Sequence, residues 1–290
     1  MRDTAQLLKL RLAASVVFSA WAGYMLGIDT IDWTDMFTLI AGGMLVVGSS
    51  NAFNQLWEIR QDALMHRTRT RPLPAGRMTE TRALFIAATT GTIGLILLAE
   101  LNILTALFGF LSLLLYVLAY TPLKAKTPWA VFVGAFPGAI PSMLGWVAAT
   151  GRFGIEPGLL FALQFVWQFP HFWSIAWFSF DDYARAGYFL LPGKEKGPVA
   201  TYGIFVYVLF MVAISLLPYT GITGKLILSW PAALLALLLG FWVIAKAWSL
   251  RKNPSDSLAR KMMFSTIGYL TGIQLIYVLD KLFLHEYFFG

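Results

Sequence analysis

Thr34-Asp-Met-Phe-Thr-Leu-Ile-Ala-Gly-Gly-Met-Leu-Val-Val-Gly-Ser-Ser-Asn51-Ala-Phe-Asn54-Gln-Leu-Trp-Glu58-Ile-Arg-Gln-Asp62 runs without a break from an apolar segment into a polar one. Its apolar part, residues 34–57, exceeds the roughly 20 residues that a helix needs to cross the hydrocarbon core of a bilayer. Working outward, eight further stretches read the same way, at 12–28, 83–99, 103–120, 129–149, 157–178, 199–219, 226–248 and 263–284. The expected fold is therefore all-α: a polytopic integral membrane protein of about nine transmembrane helices around a central cavity, with residues 1–290 forming one domain. No linker separates the spans into soluble units. The first long apolar run lacks a small-residue cleavage site and reads as a retained span rather than a signal peptide.

Composition points to the same solvent. The chain is 58% hydrophobic and 13% charged, with a mean hydropathy of +0.68. A soluble domain carries about 25% charged residues, and a water-facing surface cannot be built with so few. There is no cysteine, which excludes disulfides, thiolate metal sites and covalent c-type haem attachment. The net charge of +7 does not indicate nucleic acid, because it sits in short loops between apolar runs. Of the 22 Lys and Arg, only Arg152, Lys225 and Lys281 fall on the side reached after an odd number of spans. That asymmetry follows the positive-inside rule. It places the N-terminus and the basic loops in the cytoplasm and the C-terminus outside, in a multi-pass protein of a cell membrane, with a bacterial plasma membrane as the expected host.

The polar end of the opening stretch carries the first chemistry. Asn54, Glu58 and Asp62 are spaced i, i+4, i+8 and fall within an arc of roughly 80° on one helix face. Two carboxylates and an amide oxygen on one face suit Mg²⁺, which bridges protein carboxylates to substrate phosphates. Spacing alone is equally consistent with an ordinary helix end at the interface. The next loop, His66-Arg67-Thr68-Arg69-Thr70-Arg71-Pro72-Leu73-Pro74-Ala75-Gly76-Arg77, shifts the balance. Guanidinium forks match phosphate oxygens, and metal plus arginines implies a diphosphate at the membrane surface.

A second constellation lies in the sixth span. On a regular helix Gln164, Gln168, His171 and Asp182 fall within an arc of about 60°. Pro170 is expected to perturb that helix. A polar stripe in a bilayer must face a cavity or a partner, so His171 is read as functional and Asp182 as a second metal or diphosphate contact. The loop Tyr120-Thr121-Pro122-Leu123-Lys124-Ala-Lys126 adds cations, which positive-inside topology alone also explains.

Asn54, Glu58, Asp62, Arg67, Thr68, Arg71, Pro72, Leu73 and Gly76, with the Tyr120–Lys124 loop and the nine-span layout, resemble the UbiA superfamily of intramembrane prenyltransferases. Glu58 in place of the commoner Asp is similar to its haem-farnesylating branch. So are Pro170-His171-Phe172-Trp173 and Asp182-Tyr183-Ala184-Arg185-Ala186-Gly187-Tyr188. The resemblance covers essentially the whole chain. It implies farnesyl diphosphate and haem B as substrates and Mg²⁺ as cofactor. Asn54, Glu58, Asp62, Asp181 and Asp182 would be the metal-site residues. The diphosphate would meet Arg67, Arg71, Lys124 and Arg185, and His171 and Gln168 would face the haem, His171 as iron ligand or hydrogen-bond donor. The pathway would add a downstream haem A synthase. Two departures stand out. The superfamily's second motif spaces two Asp by three residues, whereas here Asp181 and Asp182 are adjacent and Phe178 occupies the earlier position. Arg60 also stands between Glu58 and Asp62, at an angle that turns it away from both. The competing readings are a superfamily member with another aromatic acceptor, a transporter, and a purely structural subunit. The lack of an internal repeat and the clustering of polar groups at one membrane face argue against the transporter.

Overall fold

A computed structural model describes residues 2–283. The described chain is helical with no strand. Its α-helices are α1 (Arg2–Leu8), α2 (Leu10–Gly27), α3 (Trp33–Trp57), α4 (Ile59–Leu64), α5 (Glu80–Leu101), α6 (Ile103–Leu114), α7 (Thr121–Leu123), α8 (Ala130–Thr150), α9 (Ile155–Phe178), α10 (Phe180–Arg185), α11 (Pro198–Leu216), α12 (Trp230–Lys252) and α13 (Asp256–Phe283). A π-helical turn, Leu115–Tyr120, joins α6 to α7.

Eight of these segments are long and apolar enough to cross a bilayer. The expected sixth span, α9, has 24 residues, so it also has the length, but Gln164, Gln168 and His171 lower its hydropathy. It carries Gln164, Gln168 and His171 of the polar stripe, whereas Asp182 falls beyond its end, on α10. Among the boundaries that shift, three do so for local reasons. The seventh span ends its α-helix at Leu216 and closes with a 3₁₀ turn, Leu217–Thr220. The eighth begins at Trp230 rather than 226, with Pro231 in its first turn, where a missing N–H costs nothing. The ninth begins at Asp256, because the charged residues Arg260 and Lys261 ride on its first turns. The C-terminal residue, expected outside the membrane, lies beyond the described residues. At the tight turn between the third and fourth spans, Asn102 Oδ1 accepts from the Thr105 N–H at 2.9 Å and caps α6.

Polarity is reversed relative to a soluble protein. Phe85, Ile96, Ile103, Leu107, Leu118 and Phe241 point outward, whereas Asn51, Asn54, Gln55, Glu58, Asp62, Gln164 and Gln168 are buried. Lipid supplies no hydrophobic drive between helices, so close packing and hydrogen bonds hold them together. The tightest contact joins α2 to α8: a Cβ at Gly145 would lie 1.8 Å from the Ala20 carbonyl oxygen, and one at Gly23 would lie 2.0 Å from that of Ser142. On the neighbouring face, Ser49 Oγ of α3 donates to the Ala87 carbonyl of α5 at 2.7 Å. Pro141 has no N–H to offer the Pro137 carbonyl one turn earlier, and Ser112 Oγ donates to that oxygen at 3.1 Å.

α2, α3, α5, α6 and α8 form one packed group and α9, α11, α12 and α13 another; α8–α9 and α2–α13 contacts join them. The seam between the groups encloses a cavity of about 440 Å³, lined from α2, α3, α8, α9, α13 and the π turn. The basic loops gather at one end of the bundle. There Arg77 pairs with Asp3 at 3.0 Å and Lys196 with Asp256 at 2.6 Å. At the opposite end Glu156 accepts from the Lys225 N–H at 2.9 Å, and Asp280 from the Ser229 N–H at 2.9 Å.

Candidate active site

The cavity opens among the residues that the sequence singled out. α3 ends at Trp57, because Glu58 departs from helical geometry (φ −100°, ψ 16°), yet the Asp62 N–H still reaches the Glu58 carbonyl at 2.7 Å. The i, i+4, i+8 alignment therefore survives a bend. Asn54, Glu58 and Asp62 all line the cavity and all are buried. Arg60, between them, is exposed and outside the cavity.

Each of the three is held by one side of its polar head. Asn54 Nδ2 donates to Thr121 Oγ1 at 3.2 Å, and that hydroxyl donates to the Tyr116 carbonyl within the π turn at 2.8 Å. This leaves Asn54 Oδ1 facing Lys9 Nζ at 3.5 Å. Glu58 Oε1 receives Lys124 Nζ at 2.5 Å and the Tyr188 hydroxyl at 3.0 Å. Asp62 Oδ2 pairs with Arg71 Nη1 at 2.6 Å, while its Oδ1 is buried with no partner. Arg71 is itself fixed by a tight loop, in which its N–H donates to the Thr68 carbonyl at 2.9 Å and Thr68 Oγ1 to the Asp62 carbonyl at 2.9 Å.

The electrostatics follow from these pairs. Burial pushes the Glu58 carboxyl upward, but the Lys124 ammonium outweighs it and holds the group below its ordinary value. Burial likewise works against the Lys124 charge, and Glu58 outweighs it, so Lys124 stays protonated. Lys9 has no such close partner. Burial, reinforced by Arg71 and Lys124, pushes it down to about 7. Desolvation and Glu58 raise the Tyr188 phenol, which remains a hydrogen-bond donor.

A hard cation fits this donor set. Asp62 Oδ1 is an orphaned buried carboxylate oxygen, the Glu58 contacts all fall on Oε1, and Asn54 Oδ1 has only the long Lys9 contact. Among the described residues no three His, Asp or Glu side chains converge. Two carboxylates with water and substrate oxygens suffice for Mg²⁺.

The structure does not bring the second acidic pair to this group. Asp181 is exposed. Asp182 accepts the His66 N–H on one oxygen at 2.7 Å and the Arg67 N–H on the other at 3.2 Å, with Arg185 at 3.4 Å. Neither aspartate, nor Arg185, lines the cavity. In place of the metal contact expected of it, Asp182 ties α10 to the arginine loop. Burial raises its carboxyl, but the two N–H donors and Arg185 outweigh burial and hold it below the usual carboxylate value. Arg67 does line the cavity, lying over the Tyr183 ring at 5.7 Å. Lys9 is the cation that spacing missed among the residues lining the cavity. Its backbone is left-handed (φ 49°) at the junction of α1 and α2, and a basic residue before the first span reads only as topology.

Deeper in, Gln168 and His171 of α9 line the cavity, together with Trp167, Phe172, Tyr116 and Tyr120. Gln164 Nε2 donates to the Gly138 carbonyl at 2.9 Å. His171 Nδ1 lies 2.9 Å from Thr266 Oγ1. The site therefore couples a cation–carboxylate mouth to a chamber with aromatic walls.

Residues 16–268 match the UbiA prenyltransferase family. A protein of Christiangramia forsetii named protoheme IX farnesyltransferase is 50% identical over 287 residues, covering 99% of this chain and 95% of its own. One of the same name from Flavobacterium psychrophilum is 47% identical over 282 residues, covering 96% and 94%. A solved structure concerned with digeranylgeranylglyceryl phosphate synthase in membranes superposes with a TM-score of 0.79 at 19% identity, covering 96% of this chain and 97% of that one. A UbiA homologue from Archaeoglobus fulgidus, bound to GPP and Mg²⁺, superposes with a TM-score of 0.64 at 13% identity, covering 95% and 99%. These two structures share the fold.

Proposed function

Because this chain belongs to the UbiA prenyltransferase family, we propose that it transfers the farnesyl group of farnesyl diphosphate to a vinyl group of haem B, giving haem O and releasing diphosphate. The observation that carries this reading is the placement of Lys9, Lys124, Arg67 and Arg71 around Asn54, Glu58 and Asp62 at the mouth of an aromatic-walled chamber. The relatives named protoheme IX farnesyltransferase favour haem over another aromatic acceptor.

The reaction breaks the bond between C1 of the prenyl chain and the bridging oxygen, and the electron pair leaves with diphosphate. The terminal vinyl carbon of haem bonds to C1. The cationic vinyl carbon that results takes up water, which loses a proton, and the product carries a hydroxyethylfarnesyl side chain. Lys124 and Arg71, held against Glu58 and Asp62, meet the charge that develops on the leaving group. Fixed charges aimed at a developing charge are the largest contribution such a site makes. Arg67 and Lys9 extend the same cationic wall. Mg²⁺, when bound, supplies Lewis-acid neutralisation of the diphosphate, with Asn54, Glu58 and Asp62 as the residues that would hold it. The apolar chamber keeps water from the allylic cation until the vinyl group has attacked. Gln168 and His171 face the porphyrin.

In this reading the mouth and the N-terminus face the cytoplasm of a bacterial plasma membrane, and a haem A synthase is the downstream partner that takes the product. The test is to incubate purified protein with haem B, farnesyl diphosphate and Mg²⁺, with an EDTA control, and to analyse the haem by mass spectrometry. Expected is a farnesylated, hydrated haem that is lost with EDTA. Prenylation of an aromatic acid in place of haem would overturn the acceptor assignment.

A further inference from the structure

His171 sits on the chamber wall where α9 meets α13, buried at 9% exposure. Its ring stacks on Trp167 at a centroid distance of 4.4 Å and an interplanar angle of 18°. Trp167 is fixed in turn, since its Nε1 donates to the Thr266 carbonyl at 2.6 Å. The contact that decides the chemistry is His171 Nδ1 to Thr266 Oγ1, at 2.9 Å. A threonine hydroxyl has one proton, and Thr266 gives it to the Met263 carbonyl at 2.6 Å. The oxygen therefore accepts from His171, and Nδ1 carries the ring N–H.

In a neutral imidazole the other nitrogen is then a bare acceptor. Among the described residues, no hydrogen bond engages Nε2. The ring thus has its proton anchored on α13, its plane fixed by Trp167, and one unprotonated nitrogen left over. A histidine that donates one N–H to a fixed oxygen while its other nitrogen is free is the arrangement found at metal ligands, because the anchored proton sets both tautomer and orientation. It cannot serve as a donor toward the substrate, since its single proton is engaged.

We propose that His171 Nε2 is the axial ligand of the substrate haem iron, and that Thr266 is the positioning residue that fixes its tautomer. This rests on the haem reading above and selects the ligand over the hydrogen-bond donor. His171 lies seven residues before the end of α9 at Phe178, about 10 Å along the axis at 1.5 Å per residue. Ligation there holds the iron below the mouth and leaves the porphyrin edge to meet the prenyl group.

The test uses the purified full-length protein, with His171→Ala and Thr266→Val variants, titrated with ferrous haem B and with metal-free protoporphyrin IX. Resonance Raman spectra report the iron–histidine stretch. The wild type is expected to show that stretch. His171→Ala is expected to lose it and to bind haem about 10-fold more weakly or worse, with metal-free protoporphyrin affinity unchanged and added imidazole restoring a nitrogen-ligated spectrum. Thr266→Val is expected to keep the ligand and lower the stretching frequency. A stretch that persists in His171→Ala overturns the proposal. If His171→Ala binds neither porphyrin, Thr266→Val decides: a lowered frequency supports the proposal and an unchanged one overturns it. Wild-type protein that binds haem without the stretch overturns the ligand assignment but leaves the haem reading standing, whereas wild-type protein that binds no haem overturns both.

Discussion

Asp62 engages only one of its carboxylate oxygens, with Oδ2 against Arg71 and Oδ1 buried without a hydrogen-bond partner. A buried carboxylate oxygen without a donor costs free energy, and a cation or a water bound with substrate removes that cost. Asp62→Asn keeps the shape and deletes the charge. We expect haem O formation to fall about 10²–10³-fold, the range seen when one stabilising group is removed from a charged transition state, with the helical circular dichroism unchanged. Turnover within twofold of wild type would remove Asp62 from the site. The Asn54–Glu58–Asp62 face was legible because helical spacing survives the bend at Glu58. Lys9 was not, because its position depends on one left-handed residue between α1 and α2, which no periodic pattern signals. The aspartate at 182 was legible as important but not in its role. The regular spacing of α9 does not reach it, because α9 ends at Phe178 and Asp182 sits on α10, and spacing says nothing of the His66 and Arg67 N–H groups it accepts.

At the scale of elements, Asp182 is the peg on which two segments at the basic end of the bundle meet. α10 brings it to the His66 and Arg67 N–H groups, so the loop that carries Arg67 and Arg71 is pinned to the end of the polar helix α9. Asp182→Ala leaves Asn54, Glu58 and Asp62 untouched and frees that loop. We expect KM for farnesyl diphosphate to rise about 10-fold, as loss of charge-assisted hydrogen bonds implies, with a smaller change in kcat. A metal ligand would behave differently, losing kcat and shifting the Mg²⁺ dependence. The sign of the pH effect follows from the lowered carboxyl. A depressed acid contributes fully above its unfolded pKa of about 3.9 and loses that contribution as pH falls through its folded value. The wild-type advantage over Asp182→Ala should therefore be flat from pH 5 to 8, and steady-state kinetics across that range check it. A transition near neutrality would implicate another group. The spans themselves were the most legible elements, since hydrocarbon thickness sets their length. Their ends were less so where a proline or a charged first turn, as at Pro231 and Arg260, moves the helix start away from the apolar run.

Over the whole molecule, charge is sorted by end. The described loops at the Asp3–Arg77 and Lys196–Asp256 end hold most of the basic residues, and the cation–carboxylate mouth opens among them. At the other end the basic groups are few: Lys281 Nζ donates to the Leu26 carbonyl at 2.8 Å, and Glu156 accepts only the backbone N–H of Lys225. Translocating many cations is costly, so the proposal that the basic end stays where synthesis leaves it, in the cytoplasm, follows from this sorting. On that proposal the mouth, with its cations and carboxylates, faces the cytoplasm, and the aromatic-walled chamber lies behind it. The absence of native cysteine makes the orientation directly measurable. Arg69→Cys lies in the exposed loop beside the mouth, and Arg152→Cys in the exposed turn between α8 and α9 at the opposite end. In intact cells, a membrane-impermeant maleimide should label Arg152→Cys and spare Arg69→Cys. In inverted vesicles the pattern should reverse. Labelling of Arg69→Cys from outside would turn the molecule over, and the diphosphate would then have to be supplied from the far side of the membrane.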